Sequence, residues 1–214
     1  MGRIRNLFGR FRSPLPSRDA LPETPSNRWV IAGLGNPGGE YGRSRHNTGF
    51  MAAARLAARH GIELNRRKFN GIYAETIVCG APVIIVRPQT FYNRSGDCLA
   101  PLTSYFKVPV GRLIVIHDEM DLPFPQIRIK RGGGDAGNRG VRSIAAALGP
   151  DFVRVRVGVG HPDAAADAID HVLLPLTRDE MRELEATLER VADAVTAIMG
   201  EGLERAMNLF NQRA

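Results

Sequence analysis

The stretch from Trp29 to Phe50, WVIAGLGNPGGEYGRSRHNTGF, constrains the fold of this chain more than any other. Its first residues, Trp29 to Leu34, form a short apolar run that predicts a buried strand, and residues 33–38 predict a glycine-rich turn directly after it. A polar loop then leads to His46 and Asn47, where helical apolar spacing begins. This order of strand, turn, loop and helix predicts polar groups at the C-terminal edge of an α/β sheet, where such folds bind ligands.

The glycines of this turn also permit a second interpretation. Gly33, Gly35 and Gly38 match G-x-G-x-x-G, the pattern of dinucleotide-binding loops. Pro37, however, lacks the N–H that a pyrophosphate would need, and residues 39–45 are polar, so that no helix opens on the last glycine. A nucleotide-binding oxidoreductase therefore remains only an alternative.

Apolar runs and helical patterns alternate along the rest of the chain, which predicts an α/β fold. We expect a single layered domain in which a twisted mixed sheet carries helices on both faces. The predicted strands are Trp29–Leu34, Ile72–Val78, Val83–Arg87, Leu113–His117, Gln126–Lys130 and Val153–Val159. The predicted helices are Thr48–Arg59, Gly96–Phe106, Val141–Leu148 and Arg178–Met199.

Three local patterns refine this prediction. The second and third strands, joined across Gly80-Ala-Pro82, are typical of a hairpin. Pro101 is expected to end or kink the helix in which it lies. The last helix begins with a capping box from Thr177 to Glu180, carries one apolar face, and has Gly200 in a position that suits the C′ residue.

The net charge of +7 is typical of proteins with a polyanionic partner, but it is unevenly distributed. Residues 1–28 hold six arginines against Asp19 and Glu23, which is +4, so that +3 remains for the rest. We expect residues 1–28 to form a disordered basic arm, either an organellar transit peptide or a tail with RNA affinity, ahead of a catalytic domain at 29–214. The location is then cytoplasmic, or organellar if the arm is a transit peptide.

Two absences restrict the class of protein further. No apolar run approaches the roughly 20 residues of a membrane span, so we expect no membrane association. Cys79 and Cys98 lack metal-site spacing, and we expect two buried thiols rather than a disulfide. No apolar stripe demands a partner chain, which favours a monomer.

His46 and Asp118 are the candidates for chemistry. A histidine whose ring is oriented by a carboxylate can take a proton from water near neutral pH, although a loop histidine can also be an ordinary surface residue. Because G-x-S-x-G is absent, direct attack by water is favoured over a covalent intermediate. The acidic run at 117–121 could suggest a metal site, but adjacent strand residues point to opposite faces, so we predict none.

Amides and basic residues complete the pattern. Asn36 and Asn93 follow predicted strands. An amide in such a place can donate a hydrogen bond to a developing oxyanion or accept one from a peptide N–H, or it can simply stabilise a turn. Basic residues surround the triple glycine at 132–134. Such a cluster is suited to binding phosphate, but it can also be an ordinary solvated surface. Its members are Arg128, Lys130, Arg131, Arg139, Arg142, Arg154 and Arg156.

Four ordered motifs resemble those of the bacterial-type peptidyl-tRNA hydrolase family. They are GLGNPGGEYGRSRHNTGF (33–50), RPQTFYNRSG (87–96), HDEMDLPF (117–124) and KRGGGDAG with GVRSI (130–144), and residues 154–162 and the helical tail are also similar. The resemblance covers about residues 29–213. It implies hydrolysis of the ester bond of peptidyl-tRNA without cofactor or metal.

The resemblance also assigns roles to residues. The family's catalytic histidine and its aspartate partner fall on His46 and Asp118, and Asn36 and Asn93 would hold water, the carbonyl and the peptide. Tyr41 matches an aromatic residue of the substrate cleft, and Tyr92 stands on the channel wall where the family commonly has methionine. Lys130 and Arg154 would bind the 5′-phosphate of tRNA.

One departure from the family pattern affects the site. Where the family reads Gly-Gly-His-Asn-Gly, this chain reads Ala136-Gly-Asn-Arg-Gly140, so that Arg139 replaces an asparagine implied to orient the water. Arginine cannot accept a hydrogen bond. Arg139 could instead engage phosphate or stabilise negative charge, or Asn138 could substitute for that asparagine after a small loop shift. We expect both residues to be substrate contacts. The alternative function is a catalytically weak RNA-binding relative acting in RNA processing or structure.

Overall fold

A seven-stranded mixed sheet forms the centre of the computed structural model, which describes residues 26–162 and 168–212. In chain order the strands are β1 (Trp29–Gly33), β2 (Arg66–Lys68), β3 (Gly71–Val78), β4 (Ala81–Pro88), β5 (Leu113–Glu119), β6 (Ile127–Arg131) and β7 (Val153–Gly158). Their order in the sheet is β2-β3-β4-β1-β5-β7-β6. β1 pairs in parallel with β4 and β5, as β5 does with β7, whereas the β2–β3, β3–β4 and β6–β7 pairs are antiparallel.

Helices cover both faces of this sheet, which confirms the predicted fold class. They are α1 (Thr48–Arg59), α2 (Gly96–Tyr105), α3 (Arg139–Leu148), α4 (Ala168–Leu173), α5 (Arg178–Gly200) and α6 (Leu203–Phe210). Apolar side chains of α1 and α5, such as Leu56 and Val195, bury one face with Ile31 and Ile114. Side chains of α2 and α3 bury the other face. Alternate residues of the central strands therefore enter two separate cores.

The parallel strands bring distant segments to one edge of the sheet. Because β1, β4 and β5 run in the same direction, the residues that follow β1 and β4 lie beside the end of β5. A Cβ on Gly33 would lie 2.0 Å from the carbonyl oxygen of Gly49, so these glycines let the start of α1 pack directly on the end of β1. The glycine pattern thus serves close helix–strand packing at the edge where the candidate site lies.

Several local expectations are confirmed. The β3–β4 hairpin turns at Cys79 and Gly80, both of which have positive φ, as a two-residue hairpin turn requires. The capping box is formed, because the Thr177 hydroxyl accepts from the Glu180 N–H at 3.2 Å and the Glu180 carboxylate accepts from the Thr177 N–H at 2.8 Å.

Other expectations are wrong. Gly200 is the last residue of α5 and not its C′ residue, since the left-handed conformation occurs at Gly202 (φ 92°). Pro101 does not end α2, which continues to Tyr105, whereas the expected kink stays a prediction. Cys98 is a buried free thiol, but Cys79 is exposed because it lies in the hairpin turn.

The predicted basic arm lies largely outside the described residues. Its last positions, 26–28, are described and contact the domain: the Ser26 N–H donates to the carbonyl of Lys107 at 3.0 Å, and Arg28 forms an ion pair with Glu75. The predicted boundary at residues 28 and 29 stays a prediction. None of the helices in residues 26–162 and 168–212 combines the length and apolar character that crossing a membrane requires.

Candidate active site

A single helical turn, Arg45–Asn47, presents His46 at the site edge of the sheet. Backbone hydrogen bonds hold this turn to the segment that follows α4: the Arg45 N–H donates to the carbonyl of Leu174 at 3.3 Å, and the Leu176 N–H donates to that of Arg43 at 2.9 Å. The imidazole remains 18% exposed. The loop thus fixes the backbone of His46 while the ring keeps access to solvent.

The structure brings His46 and Asp118 together. Nδ1 of His46 lies 2.8 Å from Oδ2 of Asp118, a residue near the end of β5 that is 4% exposed. An ionised carboxylate only accepts, so this contact assigns the ring proton to Nδ1 and leaves Nε2 free to accept a proton. Among the described residues, Nε2 has no hydrogen-bond partner.

The charge of Asp118 is stabilised despite its burial. Burial by itself raises the pKa of Asp118, but its electrostatic interaction and hydrogen bond with His46, followed by the hydrogen bond of Tyr92, outweigh that effect and lower it. The carboxylate is therefore held ionised, as an orienting partner of a histidine must be.

Tyr92 contacts both members of this pair. Its hydroxyl donates to Oδ1 of Asp118, and its ring stacks on the His46 imidazole with centroids 3.5 Å apart and planes 14° apart. The side chain is 3% exposed, and burial and the Asp118 charge raise the pKa of its hydroxyl. The sequence places Tyr92 on a channel wall, but gives no signal that its hydroxyl reaches the carboxylate.

Asn138 supports Tyr92 and also caps α3. Its Nδ2 donates to the Tyr92 hydroxyl oxygen at 2.9 Å and to the carbonyl of Asp118 at 3.3 Å, and its Oδ1 accepts from the Val141 N–H at 3.0 Å. The amide is thus engaged within the protein. Its predicted role as a substrate contact stays a prediction, while its observed partners are internal.

A buried amide, Asn47, holds Asn36 in place. Oδ1 of Asn47 accepts from the Asn36 N–H at 2.8 Å, and its Nδ2 donates to the Asn36 carbonyl at 3.0 Å. Oδ1 of Asn36 in turn accepts from the Tyr92 N–H at 2.9 Å, so the two loops that carry Asn36 and Tyr92 are joined. Asn47 was not predicted; as a polar residue between His46 and an apolar helix, it resembles an ordinary helix-start residue.

These side chains line a cleft of about 550 Å³. Its walls include Asn36, His46, Tyr92, Asn93, Asp118, Asn138 and Arg139, together with Phe91 and the end of α4. Arg139 is exposed on the wall and forms no ion pair with a described residue. Tyr41 is half-buried and does not line the cleft, so its predicted role gains no support from this geometry.

The predicted phosphate-binding pair lies on neighbouring strands beyond the cleft. Lys130 on β6 and Arg154 on β7 are cross-strand partners, as are Arg128 and Arg156. Arg154 is only 2% exposed, and its guanidinium donates to the carbonyls of all three glycines at 132–134. Arg154 therefore holds the glycine loop, and Lys130 is the more accessible cation of the pair.

The positive charges in this region are only partly neutralised. Glu119, which is 6% exposed and also lines the cleft, accepts from Nε of Arg156 at 2.8 Å. Burial and the charges of Arg154 and Arg156 lower the pKa of Lys130.

Within the described parts of the chain, no group of three His, Cys, Asp or Glu side chains is arranged to bind a metal ion.

Comparison with known proteins identifies the family of this chain. The family model described as Peptidyl-tRNA hydrolase matches residues 30–214. The chain is 47% identical over 192 residues to a peptidyl-tRNA hydrolase of Frankia casuarinae, covering 89% of this chain and 98% of that one. It is 42% identical over 185 residues to one of Carboxydothermus hydrogenoformans, covering 86% and 98%.

A solved structure supports the same relationship. The crystal structure of peptidyl-tRNA hydrolase from Acinetobacter baumannii is similar with a TM-score of 0.82 and 35% identity, covering 88% of this chain and 96% of that one. The chain belongs to the peptidyl-tRNA hydrolase family.

Proposed function

We propose that this protein hydrolyses the ester bond that joins a peptide to the 3′-terminal ribose of tRNA, with water as the nucleophile. Family membership supports the substrate class. The observation that carries the proposal is the 2.8 Å contact from Nδ1 of His46 to Asp118, which leaves Nε2 as a proton acceptor in a cleft of about 550 Å³.

The proposed reaction follows from that tautomer. Nε2 of His46 takes a proton from water as its oxygen attacks the ester carbonyl, and Asp118 stabilises the imidazolium that forms. The tetrahedral intermediate then collapses by breaking the bond to the ribose 3′-oxygen, which leaves with the proton returned by His46. The products are a peptide with a free carboxyl group and a tRNA with a free 3′-hydroxyl.

Asn36 and Asn93 supply neutral donors and acceptors in this scheme. The Oδ1 atom of Asn36 is already used by the Tyr92 N–H, so its Nδ2 is the group that remains for water or the carbonyl oxygen. Asn93 is exposed on the opposite loop and is suited to the main chain of the peptide. Because neither amide carries charge, neither disturbs the His46–Asp118 pair.

The tRNA end of the substrate would lie over the β6–β7 pair. We propose that Lys130 contacts the 5′-phosphate directly, and that Arg154 adds positive charge while it holds the glycine loop in shape. In this proposal Lys130 binds the phosphate and Arg154 mainly supports the loop beside it. The protein would act in the cytoplasm, where peptidyl-tRNA is released during translation, and as a monomer.

Arg139 is the observation that favours the alternative, an RNA-binding relative with weak hydrolysis. The guanidinium group has no hydrogen-bond acceptor, so Arg139 cannot orient water by accepting a hydrogen bond from it. Arg139 is exposed, however, and the His46–Asp118 contact forms beside it. Hydrolysis therefore remains the better-supported function.

Single-turnover cleavage of a purified peptidyl-tRNA tests this proposal. We expect the wild-type protein to release the peptide, and His46→Ala to reduce the rate by at least about 100-fold because the general base is lost, with tRNA affinity changed less than about twofold. The matched control is His161→Ala, since His161 is exposed and pairs with Asp121. Equal cleavage by His46→Ala would contradict the base assignment, and no cleavage by the wild type would favour the RNA-binding alternative.

A further inference from the structure

Tyr92 has more contacts with the proposed catalytic pair than any role in lining a channel requires. Its hydroxyl donates to Asp118, its ring stacks on His46, and its backbone N–H donates to Asn36. The side chain is 3% exposed, so most of its surface contacts protein and little remains for a substrate. One tyrosine thus contacts all three residues that we assign to catalysis.

The hydroxyl completes the coordination of the Asp118 carboxylate. Oδ2 faces Nδ1 of His46 at 2.8 Å and Oδ1 accepts from the Tyr92 hydroxyl, so each carboxylate oxygen has one side-chain donor. A carboxylate held from both sides cannot rotate without breaking a charge-assisted hydrogen bond in a buried place. The tyrosine donor also withdraws negative charge from the oxygen that faces His46.

The ring restricts the imidazole in a different direction. With planes only 14° apart and centroids at 3.5 Å, the Tyr92 ring prevents His46 from tilting towards that side. The ring is itself held from behind, because a Cβ on Gly140 would lie 2.5 Å from its Cε1. Nδ2 of Asn138 donates to the hydroxyl oxygen at 2.9 Å, which orients the O–H towards Asp118.

We propose that Tyr92 is a positioning residue for hydrolysis: its hydroxyl fixes the Asp118 carboxylate, its ring fixes the His46 imidazole, and Asn138 orients the hydroxyl. The proposal rests on the proposed function, since it takes His46 as the base and Asp118 as its partner. It assigns Tyr92 and Asn138 to the support of the catalytic pair rather than to the binding of substrate.

Two substitutions separate the hydroxyl from the ring. Tyr92→Phe keeps the stacked ring and removes the donor to Asp118, whereas Tyr92→Leu removes both. The matched control is Tyr105→Phe, because Tyr105 is 60% exposed and its hydroxyl has no partner among the described residues. Asn138→Ser keeps an acceptor for the N-terminus of α3 and removes the amide donor to Tyr92.

The measurement is the pH dependence of kcat and KM for cleavage of peptidyl-tRNA by the full chain. For Tyr92→Phe we expect kcat to fall about tenfold with KM nearly unchanged, since a charge-assisted hydrogen bond is lost away from the substrate. Asp118 then presents more negative charge to the general base, so the acid limb of the kcat profile should move to higher pH.

The remaining variants test each part. Tyr92→Leu should lower kcat further than Tyr92→Phe, Asn138→Ser should move the acid limb in the same direction by less, and Tyr105→Phe should do neither. Urea denaturation of each variant at the assay temperature establishes that the folded protein is being assayed. In addition, the NMR signals of the His46 ring, identified by their loss in His46→Gln, should change their chemical shifts in Tyr92→Phe without any substrate, because the Asp118 carboxylate that contacts Nδ1 loses a donor.

The outcomes distinguish this proposal from the function on which it rests. If the wild type cleaves peptidyl-tRNA but folded Tyr92→Phe keeps both kcat and the acid limb, Tyr92 does not position the pair. A rise in KM without a change in kcat would assign Tyr92 to substrate contact instead. If the wild type does not cleave, the proposed function fails, and the NMR comparison of wild type with Tyr92→Phe still decides whether Tyr92 acts on His46.

Discussion

Arg45 and Glu180, 135 residues apart in the sequence, form an ion pair that ties the His46 turn to the first turn of α5. The two side chains are only 13% and 28% exposed. Although burial raises the pKa of Glu180, its hydrogen bonds with Thr177 and the charge of Arg45 lower it. The carboxylate that caps the longest helix therefore also supports the residue before His46.

Arg45→Ala should destabilise the protein and slow the reaction together. A partly buried pair of this kind contributes more than an exposed one, so we expect a loss of about 1 kcal/mol in the free energy of unfolding. The His46 turn would also lose a constraint, which should lower kcat several-fold. Urea denaturation and steady-state cleavage of peptidyl-tRNA measure the two effects.

A control for this prediction lies on the same turn of α5. Arg182 pairs with Asp179 at 2.7 Å, but these side chains are 77% and 83% exposed. Arg182→Ala should therefore change neither stability nor kcat noticeably. Equal effects of the two substitutions would show that the Arg45 pair has no special connection to the site.

The elements were predictable where apolar spacing is regular. The bounds predicted for α1 agree with the structure, and those for β1, β5 and α5 differ by at most two residues. The two helices bury residues at helical spacing, and the two strands are short, continuously buried runs. β2 was missed because its residues, Arg66 to Lys68, are all exposed and form an edge strand without apolar alternation.

The site was predictable as a set of residues but not as a network. Motif order leads to His46, Asp118 and Asn36, but no pattern shows that the Tyr92 hydroxyl turns inward to Asp118. The same holds for Arg154: its sequence position suggests a phosphate contact, whereas three carbonyls of the glycine loop use its guanidinium. Side-chain direction depends on tertiary neighbours that are distant in sequence.

Asp118→Asn should destabilise the protein in a pH-dependent way. Because the pKa of Asp118 is lowered from 3.8 in the folded state, its ionisation stabilises the fold fully at pH values well above 3.8. That contribution is lost as the pH falls through the folded-state pKa. The difference in unfolding free energy between wild type and Asp118→Asn should thus be fully present at about pH 5 and shrink as the pH falls below 3.8. Urea denaturation at several pH values measures this difference. A difference that grows towards acid pH would contradict the claim that ionised Asp118 stabilises the fold.

Lys130→Gln should weaken tRNA binding without destabilising the fold. If Lys130 neutralises one phosphate, the substitution should raise KM, leave kcat unchanged and reduce the salt dependence of log KM by roughly 0.7 to 0.9 per decade of salt. Arg131→Gln is the matched control on the same strand, since Arg131 is exposed and its guanidinium lies towards the carbonyl of Gly111. If the salt dependence of log KM is unchanged in Lys130→Gln, Lys130 does not contact a phosphate of the tRNA.

Arg139→Ala decides what the departure from the family pattern does. Arg139 is the first residue of α3, where the helix dipole disfavours a positive charge, so its removal should leave stability unchanged or raise it by a few tenths of a kcal/mol. Because its side chain lies exposed on the wall of the cleft and pairs with no described residue, we expect it to attract the anionic substrate. KM should therefore rise several-fold while kcat changes less than about twofold.

Arg142→Ala is the control for this prediction. Asp135 already accepts two hydrogen bonds from Arg142, at 3.0 and 3.1 Å, so the effect of Arg142→Ala on KM should be smaller. A rise in kcat in Arg139→Ala would mean instead that the guanidinium hinders the attacking water, because relief of an obstruction speeds the chemical step rather than binding.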